Sequence, residues 1–142
     1  MISDRTEKAG DVQAFLHYRQ HCNGFDDSYK HPIGKMRYSD GLRVLATVAE
    51  AFWLIDLIAA WQLEIGKGVD RDFQVWWLEK LSPDAFSRRP DAPTHRITCW
   101  TDTPGESEQI CKQDIPYSDF PEELLPLKLW VNNGMLMLPE EY

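Results

Sequence analysis

Basic residues are scarce where acidic ones are plentiful. Residues 101–142 carry only Lys112 and Lys128 against nine Asp and Glu, whereas the first hundred residues are nearly balanced. Almost all of the net charge of −8 therefore sits in the last third. Such a field argues against direct nucleic-acid binding and against a membrane surface, and it attracts basic patches on proteins. An acidic surface also serves solubility alone. Cysteine is sparse too: Cys22, Cys99 and Cys111 are odd in number and show no Cys-x-x-Cys spacing, which excludes a disulfide scaffold and a thiolate zinc site. With no basic-then-apolar leader after Met1, the chain reads as a reduced cytoplasmic protein. A Gly-rich phosphate loop, a nucleophile elbow and Ser-His-Asp spacing are all missing, so no cofactor is implied. There is no internal repeat and no low-complexity tract.

Long apolar runs are also lacking, with one exception. Asp40 to Leu63 has helical periodicity, with Asp40 placed to cap it and Leu42, Leu45, Ala46, Ala49, Phe52, Trp53, Asp56, Leu57 and Ala60 along one stripe. From Ala51 onward the apolar character spreads around the circumference, interrupted only by Asp56 and Gln62. An ionised side chain in so short a run argues against a membrane span and for a core helix covered on most sides, bent or split at Glu50-Ala51. A shorter helix is expected over Asp11 to His21, after a loose, polar stretch at residues 1–9. Phe25 to Tyr38 should be an irregular connection, and Gly66 with Gly68 should end the core helix.

Beyond the helices the period falls to 2. Strands are expected at Asp72–Leu81, His95–Thr101 and Ser107–Ile115, the last two joined at Pro104-Gly105 so that Cys99 faces Cys111 and Trp100 faces Ile110. Ser82–Pro93, with three prolines, is a surface excursion, and Asp119 is a candidate cap for Pro121-Glu122-Glu123. Leu127–Asn132 and Met135–Leu138 flank Asn133-Gly134, the sequence of a type I′ hairpin. Helices first and strands afterwards predict a single α+β domain over residues 1–142. Two or three N-terminal helices pack on one face of a mostly antiparallel sheet of about four or five strands.

Six segments carry a resemblance: YKHP (Tyr29–Pro32), YSDG (Tyr38–Gly41), FWLID (Phe52–Asp56), FQVWWL (Phe73–Leu78), YSDFP (Tyr117–Pro121) and the ending LMLPEEY. Their order resembles a family of small bacterial and phage proteins known only as a domain of unknown function. Where that family has Ser before the terminal Glu-Tyr, this chain has Glu140. The resemblance implies a bacterial or mobile-element origin and transfers no reaction.

Three groups are candidates for chemistry or binding. His17 and His21, at i and i+4 beside Cys22 and Asp26 or Asp27, share a helix face as metal ligands do. They lack a Glu after the first His and any second ligand pair, so no metal is expected. Asp56 inside an apolar helix must find a partner: with His31 it could form an acid-base pair, or it could pin the irregular Phe25–Tyr38 segment to the helix. Trp76, Trp100, Trp130 and Met137 are expected on the sheet face away from the helices, with Glu106, Glu108 and Asp114 as an acidic rim. That composition suits a protein partner or a homodimer. Two function classes result: a non-catalytic module, such as an inhibitor, that docks its acidic surface on a basic partner, or a small enzyme using Asp56 and His31.

Overall fold

The fold is taken from a computed structural model, which describes residues 3–21, 24, 27–33, 35–65, 72–82 and 92–142, without the side chains of 3–9. The expected stop at Gly66 and Gly68, and residues 83–91 of the Ser82–Pro93 excursion, lie outside the described residues. Helix α1 (Ser3–Gln20) starts well before Asp11 and takes in most of the stretch expected to be loose. Thr6-Glu7-Lys8-Ala9 contains good helix formers, which extend the periodic segment backward.

The core run is two helices, α2 (Asp40–Ala49) and α3 (Phe52–Ile65), divided where expected. Glu50 takes the left-handed conformation at φ 53°, and the Ala51 and Glu50 amides turn back to the carbonyls of Ala46 and Thr47. This is the Schellman arrangement that ends a helix, built here on a non-glycine residue. The first cap differs by one position, because Ser39 rather than Asp40 accepts from the Leu42 amide at 3.2 Å. Leu42, Leu45, Ala46 and Ala49 of α2 are buried, as are Leu54, Ile55, Ile58 and Ala59 of α3. Phe52, Asp56, Ala60 and Leu63 form an exposed stripe on α3, so that helix is less enclosed than its composition suggests.

Among the described residues seven strands form one sheet, two more than the sequence pattern reveals. They are β1 (Ser28–Lys30), β2 (Arg37–Ser39), β3 (Phe73–Lys80), β4 (His95–Trp100), β5 (Gln109–Ile115), β6 (Leu127–Asn132) and β7 (Met135–Met137), in the order β1-β2-β7-β6-β3-β4-β5. Only β2 and β7 run parallel. The additions, β1 and β2, come from the segment expected to be irregular; three residues each are too short to show a period. The β6–β7 hairpin has the expected register, Trp130 opposite Met137 and Val131 opposite Leu136, with Asn133 and Gly134 both at positive φ. Cys99 lies opposite Cys111 as expected, but a bulge after Cys99 places Gln109, not Ile110, opposite Trp100. Pro121, not Asp119, precedes the 3-10 turn Glu122–Leu124.

One face of the sheet, with Trp76, Leu78, Ile97, Cys99, Leu127, Leu129, Val131 and Leu136, forms the core with the helices. A small polar network crosses that core. Gln74 accepts from Gln62 of α3 and from the Trp76 indole, and donates back to Gln62.

The chain's last turn closes the fold. Oε1 of the buried Glu141 accepts from the Ser39 hydroxyl at 2.5 Å and the Leu138 amide at 2.9 Å, and Oε2 accepts from the Gly41 amide at 3.2 Å. A carboxylate at the start of α2 meets the positive end of the helix dipole and an amide without an intrahelical partner, that of Gly41, which it shares with Asp40 Oδ1 at 3.0 Å. A Cβ at Gly41 would lie 2.5 Å from that carboxylate, so the position has room for glycine alone.

Burial pushes the Glu141 carboxyl above the usual glutamate range, with Asp40 adding to it and the hydrogen bonds from Ser39, Leu138 and Gly41 opposing. The folded chain thus holds this proton more tightly than the unfolded one. Its contribution to stability falls as pH rises from the ordinary value of 4.5 through the raised folded value. In urea unfolding across that window, the wild type should lose stability relative to Glu141→Gln; a pH-independent difference would contradict this. Gly41→Ala should cost about 1–3 kcal/mol.

Candidate functional site

His31 and Asp56 meet. Nε2 of His31 lies 2.7 Å from Oδ1 of Asp56, and the His31 side chain is 7% exposed while that of Asp56 is 66% exposed. The carboxylate is therefore at the surface of α3, not enclosed in it as its apolar neighbours suggest. Both imidazole nitrogens are occupied, since Nδ1 accepts from the Ile33 amide at 3.0 Å. That bond leaves the ring proton on Nε2, which donates to Asp56. The His31 amide also donates to the Met36 carbonyl at 2.8 Å. The pair thus fastens the turn between β1 and β2 to α3.

The outer face of the sheet carries most, but not all, of the expected aromatic residues. Trp76 is the exception: paired with Cys99 and Leu129, it lies on the helix side and is 1% exposed. Gln74, which shares its face, has a polar partner in the core, so its polarity did not signal solvent. Trp77 takes the outward position instead. Trp100 and Trp130 are partly exposed on that outer face, where Trp130 packs edge-on against Phe73 and Tyr142, and Met137 lies buried opposite Trp130.

Trp77, Thr98 and Trp100 line a groove of about 590 Å³ with Glu79, Arg96, Lys112, Lys128 and the Thr103–Gly105 connection. Sequence reasoning missed Trp77, Lys112 and Lys128 as neighbours, because only the pairing of four strands brings them together.

The acidic rim divides. Asp114 pairs with Arg96 at 2.6 Å, and that guanidinium holds its carboxyl below the usual aspartate range. Glu106 and Glu108, on the β4–β5 connection, are exposed and have no side-chain partner among the described residues.

A second cavity, of about 680 Å³, is lined by Lys80, Thr94, His95 and Tyr117–Glu123. His95 is 3% exposed; its Nδ1 lies 2.6 Å from the Thr94 hydroxyl, and its Nε2 has no partner among the described residues. Burial, then the Lys80 ammonium, lowers its pKa, while Glu122 opposes. As a single His opening a strand, it gave no sequence signal. His17 and His21 touch edge to face at 4.6 Å, while Cys22 and Asp26 lie outside the described residues. No group of three or more His, Cys, Asp or Glu among the described residues could hold a metal, and no helix there is long and apolar enough to cross a membrane.

The sequence pattern of a family of unknown function, DUF6876, matches residues 15–142. The chain belongs to that family. No curated protein and no solved structure matches it. Several motifs that carried the resemblance meet in space: YKHP and FWLID supply the His31–Asp56 pair, and YSDG and the LMLPEEY ending supply Ser39, Gly41 and Glu141. These contacts hold segments together.

Because Asp56 is hydrated, its removal should cost less than that of an enclosed carboxylate. Asp56→Ala should lower stability by about 1 kcal/mol, through the unpaired His31 Nε2–H, and Asp56→Asn, which keeps an acceptor, by less. Chemical denaturation of the three proteins checks the order. Equal losses for Asn and Ala would remove the hydrogen bond as the cause.

Proposed function

We propose that this chain is a non-catalytic protein-binding module that docks an acidic surface on a basic partner. An inhibitor of bacterial or mobile-element origin would have that character. The observation that carries the reading is how seven of the nine acids of the last third are used. Asp114, Glu122 and Glu140 pair with Arg96, Lys80 and Arg19, and Glu141 is buried at the start of α2. Asp102, Glu106 and Glu108 remain exposed together on the β4–β5 connection, beside the partly exposed Trp100. Unpaired like charges next to an aromatic anchor suit a contact in which the charges steer association and the ring sets the lifetime.

The second reading, a small enzyme using Asp56 and His31, draws on their 2.7 Å contact. The Ile33 amide on Nδ1 weighs against it, because both ring nitrogens are already engaged within the chain.

The test uses the full chain immobilised and exposed to an extract of its native host. A protein retained at about 50 mM salt and released by about 300 mM, and not retained by Glu106→Lys/Glu108→Lys, is the expected result. Retention unaffected by charge reversal, or no specific retention, would overturn the proposal. Conversion of a substrate that Asp56→Asn abolishes, with folding intact, would favour the enzyme.

A further inference from the structure

We infer that the groove on the outer face of the sheet is a binding site for a small planar anion of nucleotide size, its ring against Trp77 and Trp100 and its anionic group held by Lys112 and Lys128. The site adjoins the acidic connection proposed to meet a protein partner and shares Trp100 with it, but its assignment rests on the groove's own geometry and stands whether or not that reading holds.

Strand register builds it. Lys128 of β6 faces Trp77 of β3, Trp77 faces Thr98 of β4, and Thr98 faces Lys112 of β5. Alternation puts all four side chains on the outer face, in a single row across four strands. Three strand spacings separate the lysines by about 14 Å at the backbone, so two flexible ammonium groups can close on an anion lying over the indole between them. Trp100 follows Thr98 on the same face and extends the aromatic floor.

Internal hydrogen bonds fix that floor. The Trp77 indole N–H donates to Glu79 at 3.3 Å and the Trp100 indole N–H to Thr98 at 2.9 Å. With their N–H groups spoken for, the rings offer π-faces, which bind planar groups by stacking and show little selectivity among them.

Charge then selects the ligand's sign. Among the groove's charged residues, Arg96 pairs with Asp114, while Glu79 accepts from the neutral Trp77 indole and keeps its negative charge, which leaves the two lysines in excess over one carboxylate. Lys112 and Lys128 make no ion pair or hydrogen bond among the described residues. The only two bases in the last 42 residues of a chain with net charge −8 thus converge on one groove.

Size is limited in two ways. A volume of about 590 Å³ is that of a small-molecule site. The Thr103–Gly105 connection closes one side, and Asp102, Glu106 and Glu108 on the same connection would repel the continuing backbone of a nucleic acid.

The experiment follows the indole N–H resonances of the full chain by NMR during titration with AMP, adenosine and inorganic phosphate. AMP should shift the Trp77 and Trp100 signals saturably, with a Kd below about 1 mM, and leave buried Trp76 unmoved. Adenosine and phosphate should each bind at least about tenfold more weakly. Lys112→Ala/Lys128→Ala should weaken AMP by at least about tenfold at an unchanged melting temperature, since both side chains reach solvent. No saturable shift with AMP, or a shift indifferent to the lysine substitutions, would overturn the assignment. So would tighter binding of a thymidine decanucleotide than of AMP, which would mean a nucleic-acid strand. Binding of a glutamate-rich peptide with AMP inert would equally overturn it, in favour of an acidic protein segment.

Discussion

A buried carboxylate has to be surrounded by donors, and satisfying that one requirement organises this fold. Glu141 is placed by the last 3-10 turn, Pro139–Glu141, directly against the start of α2. Its donors come from three places: the Ser39 hydroxyl that also caps α2, the Gly41 amide inside the helix's first turn, and the Leu138 amide just after β7. Helix, strand end and chain terminus are thereby tied at one point, beside the parallel pairing of β2 with β7. Gly41 is compelled by the same contact, because any Cβ there would take the carboxylate's place. The tie bridges a sequence separation of 102 residues from Ser39 and 100 from Gly41.

Local signals were legible and long-range ones were not. Asn133-Gly134 announces its hairpin because both residues accept positive φ, and the α2–α3 division falls at Glu50-Ala51 as the change in hydrophobic pattern implies. The contact of His31 with Asp56 was foreseeable from a carboxylate in need of a partner, although Asp56 turned out to face water. Trp76 and Trp77 could not be separated by pattern, since both faces of β3 are apolar. The outcome depends on Gln62 reaching Gln74 across the core. Strand β2 is formed by pairing onto β7 and β1 by pairing onto β2, and nothing within three residues specifies that.

The acidic excess of the last third looks different once folded. Several of its carboxylates meet cations drawn from the first hundred residues, so the two charge regions of the sequence partly cancel across space. Exposed ion pairs of this kind add little stability. They do remove those acids from the outward field and leave Asp102, Glu106 and Glu108 on the β4–β5 connection exposed and without an ion pair among the described residues. On the sheet's outer face the balance reverses, with Lys112 and Lys128 bracketing Trp77. A chain that is acidic overall thus presents one negative projection and one positively flanked aromatic groove, side by side.

The dependence of the fold on Glu141 is tested most directly by a double-mutant cycle between Ser39→Ala and Glu141→Gln, with unfolding free energies measured in urea. Direct contact in a buried site predicts a coupling on the order of 1–2 kcal/mol, because Ser39→Ala removes the hydroxyl donor and Glu141→Gln replaces its carboxyl acceptor with a weaker amide oxygen. Additive losses, with no coupling beyond the measurement error, would mean that the carboxylate at the start of α2 does not hold the chain's end in place.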